Sequence, residues 1–231
     1  LNSKNFIAST IVSSPIIKII ANAYGIKYRC CLTGFKWIAK LIKDHPELEF
    51  VCGGEESFGF LVGNKVRDKD AISASLLACE LASELKSQNK NIYEFLIECY
   101  KKYGIYNERL KSIKKEGKAG LEEIKNIMNK FRKKPPLQIA GINTLRVEDY
   151  SQRTILNLKS GKKESISLPK SDVLIFILED KSRIGLRPSG TEPKIKFYFS
   201  VSDKYKPNDT WEKQQERLNK KIDLLLNDII S

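Results

Sequence analysis

The chain has 231 residues, a mass of 26.4 kDa, and 41% hydrophobic and 9% aromatic residues; this excludes collagen-like, low-complexity and wholly disordered proteins and suits one large or two modest domains. Lysine and arginine total 41 against 28 aspartate and glutamate, a net charge of +13, which favours anionic partners such as nucleic acid, acidic lipid or phosphorylated small molecules, or a solvated lysine-rich surface. The sequence contains no apolar run long enough for a transmembrane helix and no signal-peptide pattern at its N-terminus.

Cysteine and histidine content narrows the chemistry further. The cysteines at positions 30, 31, 52, 79 and 99 are odd in number and match no zinc spacing, so the sequence predicts reduced thiols in a cytoplasmic protein. The single histidine, His45, precedes a proline at the end of a helical pattern, which favours an exposed loop position over catalysis. A chain that begins with leucine and enters a strand pattern almost at once indicates a fragment of something longer.

Strand and helix patterns alternate through the first half. Apolar runs predict strands over residues 6–12, 26–32 and 48–52, and helical spacing predicts helices over residues 16–23, 35–43, 67–88 and 91–103. In the long helix the apolar residues recur on one side: Ile72, Leu76, Leu77, Leu81 and Leu85. This alternation argues for a parallel sheet covered on both faces, in a three-layer α/β/α domain.

The second half is rich in strand patterns. Dense charge over residues 111–118 predicts a hinge or linker, and we divide the chain into domains at residues 1–108 and 109–231. Helices are predicted over residues 121–133 and 211–230, and strands over 137–142, 144–147, 154–158, 172–178, 184–186 and 195–201. This half is therefore expected to form a smaller α+β domain with a mainly antiparallel sheet.

One candidate site is the segment RPSGTEPK (187–194), which lies between two predicted strands. Its serine and threonine supply hydroxyl groups, Gly190 allows an anion to approach the backbone, and Arg187 presents a planar fork of donors that matches phosphate oxygens. A tight turn with incidental hydroxyls is the simpler interpretation of S-G-T alone. With the arginine, two prolines and a lysine within the segment, we favour an anion-binding loop.

A second candidate is GGEESFGF (53–60), placed after the carboxyl end of a predicted buried strand, where open α/β sheets bind ligands. A carboxylate beside a hydroxyl suits the binding of vicinal sugar hydroxyls. The alternative is a glycine-rich loop with solvated charges.

Two shorter segments are less specific. In TGFKW (33–37), at another strand-to-helix junction on the same predicted edge, Lys36 is placed to meet an anion near a helix N-terminus, although ordinary amphipathic helix entry fits equally well. In VRDKD (66–70) a structural role is favoured, with Asp68 as the cap of the long helix.

Three longer strings connect these segments to a known family: TGFKWI (33–38), GGEESFGFLVGNKVRDKDA (53–71) and RPSGTEPKIKFY (187–198). In this order they resemble the α-D-phosphohexomutase family, in its bacterial phosphoglucomutase/phosphomannomutase branch, which includes phosphopentomutase-like members. Family members have four domains. The resemblance covers essentially the whole chain but only the third and fourth domains, which implies an α/β/α domain truncated at its start, followed by a mobile α+β lid.

The resemblance also implies a role for each motif residue. Glu55 and Ser57 would bind sugar hydroxyls, and Lys36 would approach the substrate. Lys196 stands where many relatives carry a second phosphate-binding arginine, so the charge is kept but the bidentate guanidinium is lost. The phosphate distal to the reacting end would be held by the RPSGT loop: Arg187, Ser189, Gly190 and Thr191.

In the family, a phosphoserine in a TASHNP-like loop of the first domain donates the phosphoryl group, and a DGDxDR-like loop of the second domain binds Mg²⁺. Neither string occurs here, so the chain is expected to lack the metal site and to be inactive alone, because phosphoryl transfer depends on positioning and on the charge of the metal. The resemblance implies that the intact enzyme, with its missing N-terminal domains, interconverts glucose 1-phosphate and glucose 6-phosphate through glucose 1,6-bisphosphate. Mannose and pentose phosphates remain open as substrates.

Two other functions compete with this one. A non-catalytic phosphosugar-binding module fits the same residues if the shorter chain is natural. A basic nucleic-acid-binding module rests on charge alone, since no RNP motif, zinc spacing or aromatic-interleaved basic strip supports it. Nucleic-acid binding would fall steeply with salt and show no sugar preference, which distinguishes it from phosphosugar binding. We expect neither nucleic-acid nor membrane partners.

Overall fold

The computed structural model describes residues 2–190 and 192–230. The chain divides between Ile105 and Tyr106 into two separately packed units, of which the second is the longer, which corrects the expected order of sizes. The elements of the first unit are β1 (Asn5–Thr10), α1 (Ile16–Ala23), β2 (Lys27–Cys31), α2 (Phe35–Asp44), β3 (Glu49–Glu55), β4 (Gly59–Val62), α3 (Ala71–Ser87) and α4 (Ile92–Tyr103).

The sheet of the first unit has the strand order β2-β1-β3-β4, with β1 parallel to both β2 and β3 and β4 antiparallel to β3. On one face, Phe35 and Ile38 of α2 pack with Phe6 and Phe50, whose ring centroids lie 5.3 Å apart. On the other face, Ala21 of α1 packs against neighbouring strand residues. Helices therefore cover both faces, and the predicted three-layer α/β/α arrangement is confirmed.

The long helix α3 starts later than predicted. Its N-cap is Asp70, whose carboxylate accepts a hydrogen bond from the Ile72 amide at 3.0 Å, which satisfies one of the free donors of the first turn. The predicted cap, Asp68, instead accepts from the amide and Nζ of Lys69. The assignment of Asp68 as the cap was therefore wrong.

The apolar side of α3 is mostly exposed. Ile72 is 83% exposed and Leu76 61%, whereas Leu85 is buried. Only the C-terminal end of the predicted apolar side therefore contributes to the core of this unit.

The second unit begins with a strand where the sequence predicted a hinge. Its elements are β5 (Ile105–Lys114), α5 (Gly117–Lys133), β6 (Gln138–Ile139), β7 (Ile142–Asp149), β8 (Thr154–Asn157), β9 (Lys163–Ser165), β10 (Leu174–Leu178), β11 (Arg183–Pro188), β12 (Lys194–Asp203) and α6 (Trp211–Ile230). The predicted hinge over 111–118 and the boundary after residue 108 both overlap β5 or α5, so the hinge prediction was wrong. The charges there fall at the end of the edge strand β5, where charged side chains are common, and in the connection and first turn of α5.

The sheet of the second unit has the order β5-β12-β11-β10-β7-β8-β9, with β6 paired to β7. The neighbouring strands from β12 to β9 all pair antiparallel, which confirms the predicted mainly antiparallel sheet. Helix α6 has the predicted bounds and buries the predicted residues: Leu218, Ile222, Leu225 and Ile229. Burial of each such side chain stabilises the fold by roughly 1.5–3 kcal/mol.

Within the described ranges, we find no helix with the length and apolar character needed to cross a membrane. All five cysteines are free thiols.

Cys31 provides a test of the packing in the first unit. Burial, with smaller contributions from Cys30 and Glu55, raises the pKa of the Cys31 thiol to about 12, and its Sγ donates to the Ser9 carbonyl at 3.6 Å. Because the thiolate is the reactive form, we expect iodoacetamide at pH 8 to modify Cys31 at least about tenfold more slowly than the exposed Cys79. Peptide mass spectrometry measures both rates, and the difference should vanish in urea; equal rates in the folded protein would contradict the packing.

Candidate functional site

Polar loops of the first unit follow the carboxyl ends of its parallel strands. β1 ends at Thr10, β2 at Cys31 and β3 at Glu55, and parallel pairing brings these ends to one edge of the sheet. The predicted placement of TGFKW (33–37) and GGEESFGF (53–60) on a common edge is therefore confirmed. Open α/β sheets bind ligands at this edge.

The GGEESFGF segment is a β-hairpin, not the glycine-rich loop of the alternative interpretation. Residues 53–55 belong to β3, and Glu55 lies opposite Gly59 of β4. The turn comprises residues 56–58. Glu55 is half-buried and Ser57 is exposed, so both predicted sugar-binding side chains stand on a hairpin whose register is set by strand pairing.

Lys69, in the segment VRDKD (66–70) for which a structural role is predicted, packs the hairpin against the start of α2. A Cβ built on Gly59 would lie 2.9 Å from Cδ of Lys69 and 3.1 Å from the Phe35 ring, so only glycine lets these side chains approach. The Lys69 ammonium lies 5.5 Å from the centre of the Phe35 ring, a cation–π distance, and donates to Asp68. Sequence spacing does not predict this contact, because Lys69 lies in the connection between β4 and α3 and folds back onto Gly59 of β4.

Lys36 lies in the first turn of α2 and is exposed. The N-cap, Gly34, supplies no side-chain hydrogen bond, and the first turn contains no acidic residue. The Lys36 ammonium lies 5.5 Å from the Trp37 ring centre. A cation at a helix N-terminus is disfavoured by the helix dipole, whereas an anion is favoured by both the dipole and the lysine. This end of α2 therefore suits an anionic ligand.

In the second unit, RPSGTEPK (187–194) connects β11 to β12. The Ser189 amide donates to the Lys194 carbonyl at 2.8 Å, which closes the loop. The Lys115 amide donates to the Pro193 carbonyl at 2.8 Å. The loop is thus attached to β12 and to the segment that precedes α5.

The tip of this loop is open. Gly190 is exposed, and a Cβ added there would meet no other atom within 4 Å. Ser189 is half-buried. Thr191, the remaining predicted residue of the loop, lies outside the described residues. Nothing in the described protein requires the absence of a side chain at Gly190, which leaves room for an external group to approach the backbone.

Two predicted cationic residues face each other across the β-ladder at the base of the loop. Arg187 lies directly opposite Lys196 in the antiparallel pair β11–β12, and both are half-buried. Cβ atoms of directly opposed residues are about 4.5–5.5 Å apart, and like charges in such pairs are destabilising. A bound anion would neutralise this repulsion.

Further positive charge surrounds the loop. A hydrogen bond from Lys194, together with the charges of Lys194, Lys114 and Lys196, holds the pKa of the exposed Glu192 carboxyl below its usual value. The Lys194 ammonium lies 3.1 Å from the Glu192 carboxylate. The base of the loop thus carries a local excess of positive charge.

The predicted residues therefore form one group in each unit. Lys36, Glu55 and Ser57 belong to the first unit, and Arg187, Ser189, Gly190 and Lys196 belong to the second.

Over residues 2–190 and 192–230, no group of three or more histidine, cysteine, aspartate or glutamate side chains is placed to hold a metal ion. The described residues thus do not fit a magnesium centre.

Comparison with known families and proteins agrees with this geometry. Residues 1–103 match the phosphoglucomutase/phosphomannomutase alpha/beta/alpha domain III, and residues 114–210 match the C-terminal domain of the same family. Phosphoglucomutases from Staphylococcus epidermidis and Staphylococcus aureus are 39% and 42% identical over 194 and 195 residues, which cover 84% and 83% of this chain. The chain spans about a third of the length of these relatives, since the matches cover 35% of each.

Solved structures share the fold. The open form of the Paramecium phosphoglucomutase parafusin superposes with a TM-score of 0.62 at 21% identity, covering 93% of this chain and 36% of that one. A putative phosphomannomutase from Thermus thermophilus superposes with a TM-score of 0.57 at 14% identity, covering 96% and 35%.

Proposed function

This chain belongs to the phosphoglucomutase/phosphomannomutase family, and on that premise we propose that it is the phosphosugar-binding half of a cytoplasmic enzyme that interconverts hexose 1-phosphates and 6-phosphates through a bisphosphate intermediate. The observation that carries the proposal is the opposed pair Arg187 and Lys196 below an open Ser189–Gly190 backbone. Such a site favours a phosphate, because charge-assisted hydrogen bonds are the strong ones and the fork of the arginine matches phosphate oxygens.

The two units divide recognition between the parts of the ligand. The carboxylate of Glu55 accepts hydrogen bonds from sugar hydroxyls, and the hydroxyl of Ser57 can donate to them or accept from them. Lys36 at the N-terminus of α2 attracts an anionic group. Arg187, Lys196 and the RPSGT loop hold the phosphate that is not reacting. The bisphosphate intermediate must present either of its phosphates for transfer. The sugar site must therefore bind the sugar in both orientations, and the phosphate site must bind the other phosphate whichever sugar carbon carries it.

Lys69 supports the sugar site by packing. Its stem packs over Gly59, beside the sugar-binding turn, and its ammonium lies near the ring of Phe35, the residue before Lys36. Because its charge is paired with Asp68, we assign Lys69 to holding the hairpin against the start of α2 rather than to attracting the anion.

The phosphoryl donor and the magnesium ion belong to sequences that this chain does not contain. The TASHNP-like and DGDxDR-like strings are absent from the 231 residues. We therefore expect no conversion of glucose 1-phosphate to glucose 6-phosphate by this chain with Mg²⁺ and glucose 1,6-bisphosphate, measured by a coupled glucose 6-phosphate dehydrogenase assay. A rate above that of buffer alone would contradict this expectation if the activity disappears when the protein is removed on an affinity column.

The direct test is an NMR titration with glucose 1-phosphate, glucose 1,6-bisphosphate and inorganic phosphate at two salt concentrations. We expect saturable shifts at residues 55–57 and 187–190, larger for the sugar phosphates. Shifts at 187–190 alone would restrict the function of this chain to phosphate binding. Equal shifts with DNA oligonucleotides that vanish at high salt would indicate nonspecific binding of anions.

A matched substitution tests the open loop tip. We expect Gly190→Ala to leave the free energy of unfolding unchanged or to raise it by about 0.4–1 kcal/mol, because the added methyl meets no protein atom and restricts the unfolded chain. The same methyl should weaken inorganic phosphate binding, since it occupies the space in which the anion approaches the backbone. Urea denaturation and calorimetric titration measure both effects. Full phosphate affinity in the variant would show that the anion does not approach residue 190.

A further inference from the structure

The turn that carries Ser57 is attached to the end of β1 by a single carboxylate. Oε2 of Glu56 accepts hydrogen bonds from Oγ1 of Thr10 at 3.0 Å and from Oγ of Ser13 at 3.3 Å. Thr10 is 1% exposed and Ser13 4% exposed, so both donors are held inside the packed unit. The tip of the hairpin is therefore linked to a rigid part of the sheet that lies 46 residues earlier in the chain.

The two hydroxyl groups of this cluster are donors for the side chain at position 56. Oγ1 of Thr10 and Oγ of Ser13 are 2.9 Å apart, and Oγ of Ser13 also accepts from the Thr10 amide at 3.2 Å. Each hydroxyl has one proton to donate, so an acceptor without a proton of its own can order both. A charge-assisted hydrogen bond of this kind is roughly twice as strong as a neutral one.

The other end of the turn shows why such an attachment is needed. Phe58 has a φ of 62°, a left-handed conformation that is unfavourable for a residue with a Cβ. Its side chain is fully exposed, so packing of the ring does not compensate. The conformation must be held by other bonds of the hairpin, and those of Glu56 lie within the same turn.

We propose that Glu56 is the positioning residue of the sugar-binding turn. Through Thr10 and Ser13 it holds the turn against the end of β1, and so it places Glu55 on one side and Ser57 on the other for hydroxyl binding. Glu56 itself makes no contact with the sugar in this arrangement. The inference rests on the proposed function, because it assigns Glu56 a part in recognising the sugar rather than the phosphate.

Ligand binding tests the proposal with a pair of variants in the full 231-residue chain. We expect Glu56→Ala to weaken glucose 1-phosphate binding about tenfold, by loss of ordered hydrogen bonds, and to leave inorganic phosphate affinity within about twofold. Glu56→Gln retains an acceptor oxygen and should lose less. Thr10→Val removes the donor at nearly constant shape, and its effect should not add to that of Glu56→Ala, because both remove the same bond. Glu80→Ala, on the exposed surface of α3, is the matched control.

Amide hydrogen exchange of the free protein supplies a readout that does not depend on ligand. Exchange at Ser57 and Phe58 should accelerate in Glu56→Ala and in Thr10→Val, but not in the control. Unchanged exchange would overturn the proposal even if affinity falls, because Glu56 would then act on the ligand directly. Unchanged glucose 1-phosphate affinity with accelerated exchange would also overturn it. If the unmodified chain shows no preference for glucose 1-phosphate over phosphate, the proposed function fails, and the exchange data alone decide whether Glu56 holds the turn.

Discussion

Replacement of Arg187 by alanine is expected to weaken the binding of inorganic phosphate and of glucose 1-phosphate by about 1.5–3 kcal/mol, the contribution of a hydrogen bond to a charged group. The free energy of unfolding of the ligand-free protein should rise or stay unchanged. Arg187 and Lys196 stand opposite each other on β11 and β12, and removal of one cation relieves their repulsion in the absence of an anion. A residue that held the fold together would show the reverse pattern.

The same strand provides the control for this variant. Arg183 lies on β11 opposite Ser200 rather than opposite a cation, and as an arginine four positions away it projects from the same face of the sheet. Calorimetric titration and urea denaturation of Arg183→Ala should show nearly unchanged phosphate affinity. An equal loss of affinity in both variants would mean that phosphate responds to the general positive field, and the loop would no longer be the binding site.

Hydrophobic patterns were sufficient for elements whose buried positions repeat regularly. The bounds and buried residues of α6 follow from a continuous apolar stripe, and β1, which is buried along its whole length, follows from an apolar run. The edge strand β5 carries charged side chains, and the same charges are typical of a linker, so its strand character was hidden until its pairing with β12 was known.

Competition between equivalent local signals explains other errors. Asp68 and Asp70 are both suitable caps by sequence, and only the hydrogen bond from the Ile72 amide identifies Asp70. Similarly, the apolar side of α3 predicts burial, but burial depends on a neighbour that periodicity does not specify, and Ile72 and Leu76 are exposed.

The candidate site divides in the same way. Glu55, Ser57 and Arg187 are proposed as site residues because each belongs to a short string whose residue types already indicate the chemistry. Glu56 and Lys69 lie beside the same strings, but their contacts with Thr10 and Phe35 cross from one strand or helix to another. Residues proposed to touch the ligand are thus indicated by local sequence, whereas the residues proposed to position them depend on tertiary contacts.

Glu55→Gln should separate recognition of the sugar from recognition of the phosphate. The amide has nearly the shape of the carboxylate but keeps one acceptor oxygen and presents a donor in place of the other, so it cannot accept one sugar hydroxyl at each position as a carboxylate does. We expect glucose 1-phosphate to bind about 1–3 kcal/mol more weakly. Inorganic phosphate should bind as before, because its proposed ligands, Arg187 and Lys196, belong to the second unit. Isothermal titration with both ligands gives the two affinities.

Cys31 supplies an internal check on this variant. The charge of Glu55 contributes to the raised pKa of the Cys31 thiol, after burial and Cys30. Removal of that charge should lower the pKa and modestly increase the rate of Cys31 alkylation at high pH, without the large increase that unfolding would cause. Modest acceleration with loss of glucose 1-phosphate binding alone places the carboxylate at the sugar. Equal losses for glucose 1-phosphate and inorganic phosphate would instead show that Glu55 does not act on the sugar hydroxyls, and the assignment of the hairpin as the sugar-reading element would be wrong.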